Sequence, residues 1–124
     1  ANAIRKAPER TAVVTHGTDA MAEHARMLKD LLRDAGKTVL VTGAFVPLSQ
    51  GAASDGRANV EFALRAALSR QLSPGLWVAM RGRSGQALLF EADAALTKHK
   101  DVDGPYFTGT VTKLDRARLK RLPV

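Results

Sequence analysis

Cysteine is absent from the 124 residues of this sequence, and aromatic residues make up only 5% of it. The absence of cysteine excludes a disulfide framework, a thiolate nucleophile and a cysteine-ligated metal site. No apolar run approaches the roughly 18 residues that a membrane-spanning helix needs. The first residues also lack the apolar segment of a signal peptide. We therefore expect a cytoplasmic protein that has no membrane partner.

Patterns that bind metals or nucleotides are also missing. The histidines His16, His24 and His99 form no pair at the i, i+4 spacing of helical zinc sites. No phosphate loop and no glycine pattern for dinucleotide binding occurs in the sequence. We therefore expect no metal and no cofactor, and we interpret His16 as a hydrogen-bonded structural residue.

Acidic residues are outnumbered, with 12 Asp and Glu against 19 Lys and Arg, which gives a formal net charge of +7. Much of the excess lies in residues 113–121, where basic residues dominate and no aromatic residue is interleaved. We interpret residues 115–124 as a solvated basic tail and expect no nucleic-acid partner. The alternative, nucleic-acid binding through residues 113–121, predicts an affinity that falls steeply with salt.

Apolar strands alternate with amphipathic helices through the first two thirds of the chain. Strands are predicted at Thr11–Val14, Thr38–Thr42 and Leu76–Met80, and helices at Ala20–Ala35, closed by Gly36, and from Ser54 or Asp55 to about Gln71. Strands that are apolar along their whole length are typical of parallel sheets buried on both faces. The sequence thus predicts an α/β fold with three layers, in which helices cover both faces of a mainly parallel sheet.

The two ends of the chain are less regular. Residues 1–8 are predicted to be the last turns of a helix that begins before residue 1. After Met80 we predict a turn at Arg81–Gly85, a strand at Ala87–Phe90, an irregular connection at Glu91–Pro105 and a final edge strand at Tyr106–Leu114.

The segment VVTHGTDAM, residues 13–21, combines a strand end with small oxygen-bearing side chains. Thr18 and Asp19 fall at the predicted turn from strand to helix, and Gly17 can supply backbone freedom or close approach to a ligand. In parallel α/β sheets, ligands collect at the carboxyl ends of the strands. The alternative is that Thr18 or Asp19 only caps the helix that follows.

Four further segments follow in order along the chain. They are KTVLVTGAFVP at 37–47, SDGRAN at 54–59, PGLWVAMRGR at 74–83 and the pair Thr97 and Lys98. Together with THGTDAM, these segments resemble the motifs of the bacterial-type L-asparaginase family. The resemblance implies that residues 1–124 are a single, partial N-terminal domain of that family, with its first strand or strands missing.

The same resemblance implies roles for individual residues. Thr18, Asp19 and Lys98 match a catalytic relay in which the lysine amine helps a threonine or water attack the side-chain amide of asparagine. Such a relay requires an amine that can take up a proton near neutral pH, to which His99 and Lys100 could contribute. Asp19 would also hold the substrate ammonium, and the backbone amide of Thr18 would face the oxyanion.

The remaining implied features concern the loop after the predicted strand Thr38–Thr42 and the oligomeric assembly. The carbonyl of Ala44 would accept a hydrogen bond from the substrate amide nitrogen, and Asp55 and Asn59 would cap the helix and hold the loop. The implied protein hydrolyses L-asparagine or L-glutamine to the acid and ammonia, and it forms a homo-oligomer.

The sequence also departs from the family pattern. No TGGTI-like segment with a nucleophilic threonine occurs among the 124 residues, and neither does the serine segment that grips the substrate carboxylate. Ala20 and Arg81 replace a threonine and an asparagine that the family usually has. We therefore expect these residues alone to bind substrate weakly or not at all. The alternative function is a non-catalytic binding or assembly module that keeps the fold.

Overall fold

Three parallel strands and one antiparallel strand form the central sheet. In spatial order these are β1 (Thr11–Thr15), β2 (Thr38–Thr42), β3 (Gly75–Arg81) and β4 (Ala87–Glu91). The first three run parallel, and β4 pairs with β3 in the antiparallel direction. The structure is a computed structural model that describes residues 1–101 and 104–122. The mainly parallel sheet predicted from the sequence is confirmed.

Helices lie on both faces of this sheet. A short helix, α1 (Asn2–Lys6), precedes β1, while α2 (Met21–Leu31) and α3 (Gly56–Leu68) connect the parallel strands. Val78 and Met80 pack in the core that includes α2, whereas Trp77 and Ala79 pack in the core that includes α3. Because neighbouring strand residues enter opposite cores, the parallel strands have to be apolar throughout.

Helix α2 is shorter than the sequence predicts. It ends at Leu31, and the chain then turns towards Gly36, whose φ of 66° lies in the left-handed region. Glycine adopts this conformation without the steric cost that a side chain would impose. The predicted closing role of Gly36 is therefore seen, although the regular helix stops before Ala35.

A separate hairpin follows the central sheet. Its strands β5 (Thr97–Asp101) and β6 (Gly104–Thr108) pair antiparallel, with Lys98 opposite Phe107. The prediction of an irregular connection over Glu91–Pro105 is wrong here. Phe107 is fully buried in the core that also contains Phe90, so this side chain attaches the hairpin to the main sheet.

The predicted edge strand at Tyr106–Leu114 divides into two parts. Its beginning belongs to β6, and its later part lies along β4. The amide of Glu91 donates to the carbonyl of Thr110, and the amide of Thr112 donates to the carbonyl of Leu89, both at 2.8 Å. This short contact continues the central sheet beyond β4, with a single bridge between Phe90 and Val111.

The predicted basic tail contains a short helix, and its basic side chains are exposed. Asp115 caps α4 (Arg116–Lys120) by accepting from two helix amides, and Leu119 is only 4% exposed. Arg65 of α3 donates to the carbonyl of Leu119 at 2.7 Å. Most of the predicted tail thus lies in one helix that is docked against α3. Pro123 and Val124 lie outside the residues that the structure describes. Within residues 1–101 and 104–122, no helix has the length and apolar character needed to cross a bilayer.

Candidate active site

The carboxyl ends of β1, β2 and β3 meet at one rim of the central sheet. Thr15, Thr42 and Ala79 are aligned in the strand register, so the segments that follow them emerge side by side. At Gly43, a Cβ atom would lie 2.2 Å from the carbonyl oxygen of His16. Only glycine allows this close approach, and it brings the segments after β1 and β2 together.

The predicted site residues Thr18, Asp19 and Lys98 lie in direct contact at this rim. Lys98 Nζ donates hydrogen bonds to Thr18 Oγ1 and to Asp19 Oδ1, and both distances are 3.0 Å. Thr18 and Asp19 follow β1, whereas Lys98 comes from β5, about 80 residues later in the sequence. The hairpin therefore delivers the amine to the rim, although the sequence pattern alone placed Lys98 in a loop.

Burial differs sharply within this cluster. The Lys98 side chain is 14% exposed, while the Asp19 side chain is 93% exposed. The pKa of the Asp19 carboxyl is lowered, first by the hydrogen bond from Lys98 and then by the positive charges of Lys98 and Lys100. Asp19 therefore stays ionised in more acidic solution than an ordinary aspartate, and it presents its charge to solvent.

Helix capping does not account for Thr18 and Asp19. The residue before α2 is Ala20, and no side chain makes a cap hydrogen bond there. Both side chains instead contact Lys98. Of the two interpretations that the sequence left open, the capping one is wrong.

The loop after β2 is anchored from α3. Asp55 accepts hydrogen bonds from the amides of Phe45 and Val46, at 3.2 and 3.0 Å, and from the Asn59 side chain at 2.9 Å. Asn59 also donates to the carbonyl of Gly43 at 3.0 Å. The prediction that Asp55 caps the helix is wrong, because its side chain makes no cap bond. The predicted holding of the loop is seen, and it fixes the backbone on both sides of Ala44.

Phe45 is a site neighbour that the sequence reasoning missed. Lys98 Nζ lies 5.7 Å from the centre of its ring, and the Arg81 guanidinium lies 5.4 Å from the same centre. Both distances fit cation–π contacts. The available signal was its position as an aromatic residue directly after Gly43 and Ala44, the two small residues that follow β2.

The two residues that follow Lys98 in the sequence behave differently. His99 stacks on Tyr106, with 4.9 Å between ring centres, and shares a 2.7 Å hydrogen bond with Thr108. It makes these contacts within the hairpin. Lys100 Nζ lies 3.8 Å from Asp19 Oδ1, on the same side as Lys98. Of the two residues expected to help the Lys98 amine take up a proton, only Lys100 contacts the cluster of Thr18, Asp19 and Lys98.

The remaining histidines meet each other near the rim. His16 Nε2 and His24 Nδ1 share a hydrogen bond of 2.7 Å, although eight residues separate them. The sequence spacing gave no indication of this pair. No group of three or more potential metal-ligating side chains occurs within the described part of the chain.

A family model and several known proteins match parts of this sequence. The sequence model of the family described as "Asparaginase, N-terminal" matches residues 1–103. The human 60 kDa lysophospholipase is 52% identical over 52 residues, which are 42% of this chain and 9% of that protein. L-asparaginase 1 of Escherichia coli strain K12 is 46% identical over 52 residues, which are 42% of this chain and 15% of that protein.

A solved structure resembles the fold over a longer stretch. The thermostable L-asparaginase from Thermococcus kodakarensis superimposes with a TM-score of 0.64 and 26% identity. The similarity covers 82% of this chain and 28% of that one. In each of these comparisons, the matched part is less than a third of the relative's length.

Proposed function

This chain belongs to the asparaginase family. We propose that it is part of an amidohydrolase that acts on L-asparagine or L-glutamine, and that it carries catalytic residues of the active site. In this proposal residues 1–124 are one partial N-terminal domain of such an enzyme. The reaction consumes water and converts the side-chain amide into a carboxylate and ammonia, without a cofactor. Two relatives that carry the name L-asparaginase support this assignment.

The observation that carries the proposal is the contact of one sheltered amine with a hydroxyl and a carboxylate. Lys98 Nζ is within hydrogen-bond distance of both Thr18 Oγ1 and Asp19 Oδ1. A neutral Lys98 amine can accept the proton of the Thr18 hydroxyl as that oxygen, or a water bound to it, attacks the amide carbon. The same proton can then pass to the leaving nitrogen, which departs as ammonia. If the Thr18 oxygen attacks, water then hydrolyses the ester that is left on Thr18 and releases the acid.

Asp19 and the loop after β2 would bind the substrate. The exposed Asp19 carboxylate can accept a charge-assisted hydrogen bond from the substrate ammonium. The backbone amide of Thr18 would donate to the developing oxyanion. The carbonyl of Ala44 would accept from the amide nitrogen, and the anchoring of its neighbours by Asp55 and Asn59 supports such a fixed acceptor.

Ammonia release from L-asparagine tests the proposal. The assay should use the whole natural protein that contains these residues, with Thr18→Val and Lys98→Met compared with Lys29→Met, which removes an exposed lysine on α2. We expect the first two variants to lose on the order of 10²-fold or more in kcat, the range typical of a lost proton-transfer group. The Lys29 variant should keep its activity.

The outcomes separate the two candidate functions. Activity that survives both Thr18→Val and Lys98→Met contradicts the proposed roles. Saturable binding of L-aspartate without any ammonia release favours the non-catalytic module. For the 124 residues alone we expect weak binding and little turnover, because no TGGTI-like segment occurs among them.

A further inference from the structure

The amino ends of the parallel strands border a cavity at the end of the sheet opposite the candidate active site. The strands β1, β2 and β3 begin there with aligned residues, which are Thr11, Thr38 and Gly75. The cavity has a volume of about 400 Å³, and two arginines, Arg10 and Arg70, are among the residues that line it. This volume lies in the range of small-molecule sites.

Both of these arginines are available to a ligand. Neither guanidinium makes a hydrogen bond, an ion pair or a ring contact with any residue that the structure describes, and both residues are exposed. Arg10 and Arg70 also line an adjoining cavity of about 730 Å³, where Glu9 is the one acidic residue among the described lining residues. Arginine stays charged at any physiological pH, so two positive charges stand against one negative charge. This excess attracts an anion.

The backbone that carries Arg10 is anchored. The amide of Thr38 donates to the carbonyl of Arg10 at 2.8 Å, at the start of β1. Lys37 Nζ donates to the carbonyls of Ala7 and Glu9, which fixes the segment just before Arg10. A side chain on a fixed backbone has less freedom to lose when it binds a ligand.

Arg70 adopts a backbone conformation that usually belongs to glycine. It follows Ser69, the C-cap of α3, with a φ of 57°, and among the described residues it is the one residue other than glycine with a positive φ. Glycine is favoured at this place after a helix because a side chain is strained there. The strain persists at Arg70 although glycine would relieve it, which points to a use for the side chain. Arg118 donates to the carbonyl of Ser69 at 2.9 Å and so offsets the negative end of the helix.

We propose that Arg10 and Arg70 together bind a phosphate group, carried by inorganic phosphate or by a small phosphate monoester. One guanidinium satisfies both oxygens of a carboxylate, whereas a phosphate group has enough oxygens to use two guanidiniums. The hydroxyl of Thr11 lines the same cavity and can donate a further hydrogen bond. Leu72 and Pro74 also line it and offer apolar surface to the organic part of a monoester. The inference is independent of the proposed function, which concerns the opposite end of the sheet.

Calorimetric titration with inorganic phosphate and with phenyl phosphate, at constant ionic strength, tests this site. The protein is the whole natural one that contains these residues, and we expect saturable binding. Arg10→Gln and Arg70→Gln should each weaken binding about tenfold, because each removes charge-assisted hydrogen bonds. The matched control is Arg57→Gln, which removes an exposed arginine of α3 that lines neither cavity. It changes the net charge equally and should leave the affinity unchanged. Tighter binding of phenyl phosphate would identify a monoester as the ligand, and tighter binding of inorganic phosphate would identify the free anion.

Two further variants separate this site from other effects. Arg70→Gly should lose the same affinity without a fall in Tm, because glycine adopts the left-handed conformation without strain. Lys98→Met should keep the phosphate affinity, because Lys98 lies at the other end of the sheet. A loss in Arg57→Gln or Lys98→Met as large as that in the Arg10 and Arg70 variants would overturn the assignment, since the anion would then bind through general charge or in the candidate active site. Failure of the unmodified protein to bind either probe saturably would overturn it as well.

Discussion

Replacement of Asp55 by alanine should destabilise the protein more than replacement of any surface carboxylate. Its two carboxylate oxygens hold the amides of Phe45 and Val46 and the side chain of Asn59, at 2.9–3.2 Å. Asn59 is only 1% exposed, so its freed N–H group has little access to water. The substitution therefore removes three charge-assisted bonds and leaves the freed Asn59 N–H with only a weak acceptor, Met80 Sδ at 3.6 Å.

The expected magnitude follows from these contacts. Hydrogen bonds to charged groups contribute about 1.5–3 kcal/mol each, so three of them set an upper limit of several kcal/mol. The two backbone amides are only partly buried and can be rehydrated after the substitution, which lowers the cost. We expect Asp55→Ala to reduce the free energy of unfolding by about 3 kcal/mol. Asp55→Asn should cost about half as much, because it keeps one acceptor oxygen and the side-chain volume.

Urea denaturation followed by far-UV circular dichroism measures this effect. With a slope near 2 kcal/mol per M, the midpoint should fall by about 1.5 M while the slope stays constant. The control is Asp30→Ala, because the Asp30 side chain is 71% exposed and pairs with Arg33 at 2.9 Å. An exposed pair of this kind contributes about 0.2–1 kcal/mol. A loss below 1 kcal/mol for Asp55→Ala would refute the structural role assigned to this carboxylate.

Two further predictions concern the rim and its charges. Gly43→Ala should lower the free energy of unfolding, measured by thermal denaturation, by about 3 kcal/mol, because the added Cβ would overlap the carbonyl of His16. The control Gly17→Ala should be close to neutral, because its Cβ would meet nothing within 4 Å. Similar effects of the two substitutions would contradict this reasoning. Lys98→Met should raise the pKa of Asp19 towards its ordinary value in a ¹³C NMR titration, and an unmoved titration would show that the lysine does not lower it. Because the folded-state pKa is lowered, the ion pair contributes stability above the ordinary carboxyl range and loses it as the pH falls through the folded-state value.

The central sheet was predictable because its signals are local. Segments such as Thr38–Thr42 are buried on both faces, and amphipathic segments connect them in an alternating strand–helix pattern. The positions of β1, β2 and β3 therefore agree with the structure to within one residue at each end. The end of α2 was less predictable, because helix boundaries depend on the geometry of the turn that follows.

The hairpin was not predictable from its own residues. The strand TKHKD at Thr97–Asp101 has no apolar alternation, so its sequence favours a loop. It forms because β6 pairs with it and Phe107 of β6 is buried in the core. The docking of α4 is a similar case. Leu119 and Arg65 make contacts over a separation of 54 residues, which charge counting along the tail could not reveal.

For the candidate site, the resemblance supplied what local patterns could not. Thr18 and Asp19 were visible as polar residues at a strand end, but their partner could not be read from spacing across about 80 residues. Matching Lys98 to a family motif identified it as that partner. Lys100 was expected to contribute because it lies close to Lys98 in the sequence, whereas the contact of Phe45 with Lys98 depends on side-chain packing that its position after Gly43 and Ala44 does not reveal.

The boundary of the family match passes through the hairpin. The match ends at residue 103, whereas β6 occupies Gly104–Thr108 and includes Phe107, which lies opposite Lys98. A chain trimmed to the matched region would retain the amine but lose the strand that supports it. Sequence divergence beyond residue 103 can therefore alter how firmly the amine is presented, even where the hydroxyl and the carboxylate are left untouched.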